Sequence, residues 1–445
     1  MSKKRTLIYL VNKLCTKNFF YFVVFLTLLF GFIIFVSPGY VVEVLGLQSS
    51  IRNTSWNQPL PLTVEQVSGD LALLWSRGGV LRHCTKKIRR VYYGKPPKTG
   101  STTLRFMLYS FALRNNLDIC TDALDLYHMN YPEKINPDRV IGTEIGCDVI
   151  ADEMVFDKDV LSGFAGTRNS ESVSFLTSVR EPVRHFISIF NFLFLPDIIG
   201  NVVNSYEKRL TIFEVLQLFL LRPKLIRELY LSFWQDERNQ LDRVASLQLM
   251  KPNPQLHSLG VSKDIISDQS KLLATIFEKL KQMRFATVAD HFDESMVMLK
   301  RIFCWSDEEV MYRRLNTQGG LGVKYRDLPD SLIKRINQFN SGDRLLFEVV
   351  NKTLWKMIAS FPNFKEELRD YKQKLAAYQK VCESKNSLGE KGDYKTYQCF
   401  LQTDIEKIRL DIKNRTINSI KNKLLRLSQE ELSEEYGVFS FLHRH

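Results

Sequence analysis

Glycine and proline are sparse in this 445-residue chain, 21 and 14 respectively, and no repeat of any period is visible. Those absences exclude collagen-like, mucin-like and coiled-coil architectures. No C-x-x-C pair occurs among the seven cysteines, which removes the usual framework of a zinc site. Disorder is excluded too, because 44% of the residues are hydrophobic and only 25% are charged. The length accommodates one large domain or two ordinary ones. The formal net charge is +13, from 62 Lys+Arg against 49 Asp+Glu. That excess is spread along the chain, so by itself it fits an anionic ligand, a membrane surface or nucleic acid equally well.

Acid is also missing from the start of the chain, where no Asp or Glu precedes Glu43. Lys3, Lys4, Arg5, Lys13 and Lys17 lead into Phe19–Val36, an uncharged apolar run of 18 residues. As a helix this run spans roughly 27 Å, enough for a thin bilayer. The charge asymmetry predicts a cytosolic tail over 1–18, a single-pass signal anchor over 19–36 and the remainder in a lumen. The run exceeds a usual signal-peptide core and no small-x-small cleavage site follows it, which favours an anchor over a cleaved leader.

Beyond the anchor lie Cys84, Cys120, Cys147, Cys304, Cys382 and Cys399, an even number suited to an oxidising lumen. Six cysteines permit fifteen pairings. Cys382 and Cys399 bracket a polar, Gly-containing stretch and are the preferred local disulfide. Sequons at Asn53, Asn351 and Asn414 add candidate glycosylation sites. Together these features predict a Golgi or ER protein, and a lumenal domain argues against nucleic acid as its partner.

Residues 37–81 have weak periodicity and include Pro38, Pro59 and Pro61, the character of a stem. From 82 to 362, short β-type runs alternate with amphipathic segments, predicting an α/β fold with a mainly parallel sheet flanked by helices. The runs are Arg90–Tyr93, Ser174–Ser178 and Phe285–Ala289; the helices include Thr102–Asn115, Asp268–Met283, Glu294–Phe303 and Leu332–Ile358. Residues 363–445 read as a helical C-terminal extension. Trp305 and Trp355 read as core.

Chemistry concentrates at two places. At the first, strand residues starting at Val91 run into Lys98-Thr99-Gly100-Ser101-Thr102-Thr103 and then a helix. Free N–H groups of a first helical turn, its dipole and Lys98 would converge on a phosphate or sulfate. It is not a Walker A loop, since Lys98 precedes Gly100. An ordinary capped strand–turn–helix fits the loop equally well. At the second, a buried strand ends at Arg180, followed by Pro182 and, eight residues after Arg180, Ser188. Arg180 offers a guanidinium fork and Ser188 a hydroxyl for a second phosphate.

KTGSTT after a strand, followed by SVREPVRHFISIF, resembles the two nucleotide-binding elements of sulfotransferases that use 3′-phosphoadenosine 5′-phosphosulfate. Downstream, FATVADHFDESMVMLKRIFCW, VMYRRLN and FEVVNKTLW are similar to segments of the galactose-3-O-sulfotransferases. The resemblance implies a P-loop-like sulfotransferase fold and a single-pass type II Golgi enzyme. It implies that Lys98, Thr99, Gly100, Ser101, Thr102 and Thr103 hold the 5′-phosphosulfate, that Arg180 and Ser188 hold the 3′-phosphate, and that no metal is required. The acceptor it implies is a galactose-terminated glycolipid or glycan.

Two departures stand out. Family members carry His immediately before the loop Lys, where this chain has Pro97, and a His in a segment resembling DVIADEMVF, where it has Glu153. Both remove an obvious general base, so the base is a carboxylate or activity is reduced or lost. Glu153 is the first candidate, with Asp152 and His128 as alternatives. His291, Asp293 and Arg314 are candidates for the acceptor pocket, although helix capping by Asp293 and packing by the others is the plainer explanation. Gly319–Lys324 is a candidate lid over the donor or a plain turn. Rival readings are a different acceptor, such as a glycosaminoglycan uronic acid, and a non-catalytic lumenal glycan- or partner-binding module. The sequence leaves a homo-oligomer open.

Overall fold

Short runs dense in β-branched and aromatic side chains, such as VYY and SFLTSV, can be buried on both faces only where helices cover a parallel sheet. The structure, a computed structural model, builds that arrangement; it describes residues 62–76, 86–122, 128–141, 146–165, 172–193, 211–233, 240–314 and 323–385. In chain order the main elements are α1 (Val64–Ser76), β1 (Val91–Tyr93), α2 (Ser101–Arg114), β2 (Thr121–Asp122), β3 (Val140–Ile141), β4 (Val149–Ile150), α3 (Lys158–Gly163), β5 (Ser174–Val179), α4 (Pro182–Phe192), α5 (Ile212–Leu221), α6 (Pro223–Phe233), α7 (Gln240–Leu249), α8 (Pro254–Ser258), α9 (Gln269–Lys281), β6 (Phe285–Val288), α10 (Phe292–Phe303), α11 (Asp330–Phe339), α12 (Ser341–Ala359) and α13 (Phe364–Lys385).

Four strands form one sheet in the order β4-β1-β5-β6, all parallel, and β2 and β3 form a small antiparallel pair. The three β-type runs read from the sequence are therefore β1, β5 and β6, shifted by a residue or less at most ends. After β1 the chain crosses to β4 on one side, and it then returns to build β5 on the other. This is a topological switch point, where α/β sheets gather their ligands at the carboxyl ends of the strands. Helix α2 follows β1 and is buried on nearly every face, from Ser101 through Ala112 with Thr102 the one half-buried position.

The compact unit begins at Leu62. This corrects the expected stem, because Val64–Ser76 is a helix whose Val67, Leu71 and Trp75 are buried. Trp75 meets Phe285 of β6 edge-on, 5.7 Å between ring centroids. The opposite boundary moves as well. Within the expected extension, the 22 residues Phe364–Lys385 form α13, which lays Phe364, Tyr371 and Leu375 into the main core. The Tyr371 hydroxyl donates to Val310 O at 2.9 Å, and Glu367 pairs with Lys300 at 2.6 Å and Arg301 at 2.7 Å. The anchor at 19–36, Asn53, Asn414, Cys399 and most of Gly319–Lys324 lie outside the described residues.

The single helix expected over Leu332–Ile358 is two helices, α11 and α12, broken at Asn340. The break has a cause elsewhere in the chain. Asn253 Oδ1 accepts the Gly342 and Asp343 N–H groups at 2.9 and 3.0 Å, which satisfies the first turn of α12. Asn340 Oδ1 in return accepts the Asn253 N–H at 2.9 Å. Gly342 is required there, since a Cβ would stand 2.5 Å from the Leu256 side chain.

Trp305 is core, stacked on Phe111 at 4.0 Å. Trp355 is not: it is 42% exposed, on the solvent side of α12. Cys120 and Cys147 form a disulfide, and Cys304 and Cys382 are each disulfide-bonded. Asn351 lies inside α12 with Oδ1 buried, and its sequon Thr353 is fully buried with its hydroxyl on Val349 O at 2.7 Å. The candidate glycosylation site at Asn351 therefore lies within a helix rather than in a loop.

Candidate active site

Because β4, β1 and β5 are parallel, the segments leaving their carboxyl ends emerge on one edge. These are Ala151–Glu153, Gly94–Gly100 and Arg180–Glu181. In the middle segment Lys98 (φ 64°) and Gly100 (φ 74°) both adopt left-handed backbone, the winding that turns N–H groups toward one concave face. Three successive carbonyls of this loop are held from outside. Pro96 O accepts Thr99 Oγ1 at 2.8 Å, Pro97 O accepts His185 Nε2 at 2.9 Å, and Lys98 O accepts Arg180 Nη1 at 3.0 Å. Since a carbonyl only accepts, the His185 proton sits on Nε2. Burial holds the pKa of that ring down to about 3, so the imidazole is neutral. Gly100 stands at the N-cap of α2 without a side-chain cap. The first amides of α2 therefore retain the anion-binding capacity of an open helix N-terminus.

Two cations flank that point. Lys98 is mostly buried, with Nζ 3.9 Å from the centroid of the Phe192 ring. Burial lowers its pKa to about 8. Arg180 is half-buried, at the end of β5. Neither has a carboxylate within ion-pair distance among the described residues. On α4, Arg184, Ser188 and Phe192 follow at four-residue spacing and so share one face. Ser188 is half-buried on that face, while Arg184 lies 4.8 Å over the Tyr325 ring and 3.5 Å from Asp290. Glu153 acts on Lys98 and Asp290 on Arg180 from beyond pairing distance, and a desolvated cation without a direct ion pair is stabilised when an anion completes it. The residues present fit a doubly phosphorylated or sulfated nucleotide.

Thr99 belongs to this loop but not to its open face. Its hydroxyl is fully buried and lies 2.6 Å from Ser178 Oγ, which is 2.6 Å from the Tyr93 hydroxyl. Burial raises the Tyr93 pKa, so the chain of hydroxyls is neutral. Thr99 thus anchors the loop to β5 with its side chain. Ser101 and Thr103 are also buried, and Thr102 is half-buried.

The end of β4 is different. Glu153 pairs with Lys95 through a short contact and lies 3.4 Å from His128 Nε2. Burial pushes the Glu153 pKa up, but Lys95 and His128 outweigh it and hold the carboxyl at about 2. Asp152 is fully buried and saturated: Arg105 at 2.7 Å, Thr121 at 2.8 Å and Tyr109 at 3.1 Å. Asp152 therefore has no free oxygen for a substrate, which leaves Glu153 and His128 as the remaining candidates.

The downstream candidates do not join this cluster as one group. His291 sits at the N-cap of α10 without a side-chain cap bond, edge-on to Trp355 at 5.0 Å. Asp293 accepts a short hydrogen bond from the Tyr312 hydroxyl rather than capping the helix. Arg314 interacts with the same Tyr312. The link back to the loop is Phe292, whose ring lies 3.5 Å from where a Cβ on Gly100 would be. Reasoning from sequence missed Lys95, Arg105, His185 and Gln255. His185 lies within SVREPVRHFISIF and Lys95 three residues before Lys98, so both could have been weighed. Arg105 and Gln255 carry no local signal.

Comparison with known proteins bears on this geometry. The family profile described as galactose-3-O-sulfotransferase matches residues 40–397. The galactosylceramide sulfotransferase of Bos taurus is 25% identical over 275 residues, 61% of this chain and 58% of that protein. Galactose-3-O-sulfotransferase 3 of Homo sapiens is 24% identical over 295 residues, 64% of this chain and 62% of its own length. Galactose-3-O-sulfotransferase 2 of Homo sapiens is 23% identical over 273 residues, 61% of each chain. The chain thus spans about three fifths of the length of the curated relatives it matches. With the family profile covering most of its length, the chain belongs to the galactose-3-O-sulfotransferase family.

Proposed function

We propose that the protein moves a sulfuryl group from 3′-phosphoadenosine 5′-phosphosulfate to a galactose hydroxyl, the 3-OH, on a glycolipid or glycoprotein glycan. The observation that carries this reading is the pair of desolvated cations, Lys98 and Arg180, without carboxylate partners among the described residues, beside the uncapped N-terminus of α2. The donor supplies an activated sulfur–oxygen bond, and the chain supplies charge and position. Lys98 and the α2 amides stabilise the negative charge that develops on the leaving phosphate oxygen. Arg180 and Ser188 hold the 3′-phosphate and so fix the donor's register. Glu153, ionised and bracketed by Lys95 and His128, receives the hydroxyl proton as the sugar oxygen bonds to sulfur. A positioned base of this kind contributes roughly 10²–10⁴-fold. The relatives' names supply the acceptor class, and the uncharged run at 19–36 supplies the single-pass Golgi anchor with a lumenal domain.

A second reading has its own support. A carboxyl held at about 2 has little proton affinity, which favours a module that binds nucleotide and glycan without turnover. One experiment separates the two. The full chain is incubated with sulfur-labelled donor and a panel of galactose-terminated lipids and glycans, beside Lys98→Ala. Label transfer that disappears in the variant supports the enzyme and identifies its acceptor. Nucleotide binding without transfer to any member of the panel supports the module, and loss of nucleotide binding overturns both.

A further inference from the structure

Arg180 stands one residue past the end of β5, where the sheet can no longer satisfy its peptide groups. β5 and β6 pair as far as Val179 with Val288. The Glu181 N–H, on the same peptide group as the Arg180 carbonyl, donates to Asp290 Oδ2 at 2.7 Å. The N–H and the carbonyl of Arg180 itself are both bound by one distant side chain. Its N–H donates to Gln255 Oε1 at 2.8 Å, and its carbonyl accepts Gln255 Nε2 at 3.0 Å. The two partners, one donor and one acceptor, fix the orientation of the amide without ambiguity. Gln255 therefore acts as a single-residue extension of the sheet.

Gln255 is itself rigidly mounted. It is 1% exposed, in the first turn of α8. Its own N–H and that of Leu256 donate to the two oxygens of Asp343, at 3.1 and 2.9 Å. Asp343 in turn lies in the first turn of α12, whose amides return to Asn253. The bracket Asn253–Gln255–Asp343 thus ties the Arg180 backbone to a 19-residue helix of the core. The guanidinium on that backbone reaches Lys98 O.

We infer that Gln255 is a positioning residue for donor binding, acting through Arg180 on the 3′-phosphate. The inference rests on the reading above that Arg180 holds that phosphate. An arginine recognises a phosphate by a planar fork, so a small displacement of its backbone loses the geometry while leaving the charge in place.

The test is nucleotide binding by the full chain, measured calorimetrically with adenosine 3′,5′-bisphosphate and with adenosine 5′-phosphate. Gln255→Met keeps the volume and removes both hydrogen bonds. It is expected to weaken the bisphosphate about tenfold and the monophosphate less than about twofold. Added to Arg180→Ala, it should cause no further loss. Gln255→Glu supplies a second probe if the Met variant does not fold, because only its protonated form can both accept from and donate to the Arg180 peptide. Relative to the unaltered chain at each pH, its bisphosphate affinity should recover as the pH falls. Equal loss for both nucleotides, or a Glu variant with no pH-dependent recovery, would mean that Gln255 merely supports the fold. If Arg180→Ala weakens the bisphosphate and Gln255→Met does not, the clamp alone is wrong. If Arg180→Ala changes nothing, the donor-site reading fails and takes the clamp with it.

Discussion

At the ends of β1 and β5, Lys98 and Arg180 meet only carbonyl, ring and amide partners among the described residues. At the end of β4, on the same sheet edge, Lys95 pairs with Glu153 and Arg105 with Asp152. The contrast separates two uses of buried charge. A desolvated cation without a counter-ion is a vacancy for an anion, whereas a compensated pair needs nothing from outside. The cations of the first region were read from sequence as ligand groups; among the described residues neither forms an ion pair with a carboxylate. The carboxylate of the second was read as a base, and its pairing gives it a second task, holding Lys95 in place.

The sharpest break of this contrast is Lys98→Ala or Arg180→Ala. Each should lower transfer on the order of 10²–10³-fold or more, read as label transfer at saturating acceptor. Unimpaired turnover in either would sink the donor-site assignment. On the paired side the largest effect should be on stability. Lys95→Met leaves Glu153 with His128 as its one remaining close partner among the described residues and should cost about 3–5 kcal/mol. The double variant with Glu153→Gln should recover most of this in urea unfolding, which an independent pair of sites would not do. Glu153→Gln alone should reduce transfer by roughly 10²-fold with nucleotide binding retained. An unchanged rate would transfer the base to His128.

The difference between the regions also explains what could be read from the sequence. Lys98–Thr103 and Arg180–Ser188 are contiguous, and a strand followed by a turn and a helix encodes their geometry locally. Strands β1, β5 and β6 were legible for the same reason, whereas the two-residue β2, β3 and β4 were not. Gln255 and Asp343 reach their partners 75 and 88 residues away, and no local pattern marks such contacts. The break at Asn340 was invisible because its cause is Asn253. Helix α1 was legible but missed: Val64, Val67, Leu71 and Trp75 recur at helical spacing. Nearby prolines drew the reading toward a stem. Trp355 was misjudged because residue type suggests a core position, while only packing decides which face of a helix is covered.

The smallest effect sharpens the comparison through pH. Burial lowers the Lys98 pKa to about 8 from its ordinary 10.5, so the free site carries the required ammonium below that pH and loses it above. The kcat/KM for donor should therefore fall about tenfold per unit as the pH rises past 8. Once an anion is bound, its charge favours the ammonium, so the corresponding limb in kcat should lie at higher pH. Lys98→Arg should abolish the limb in this range, because a guanidinium stays charged. Glu153, ionised down to about 2, should contribute no acid limb at neutral or mildly acidic pH. An alkaline limb that survives Lys98→Arg would mean that the titrating cation lies on the paired side, with Lys95 as the first group to test.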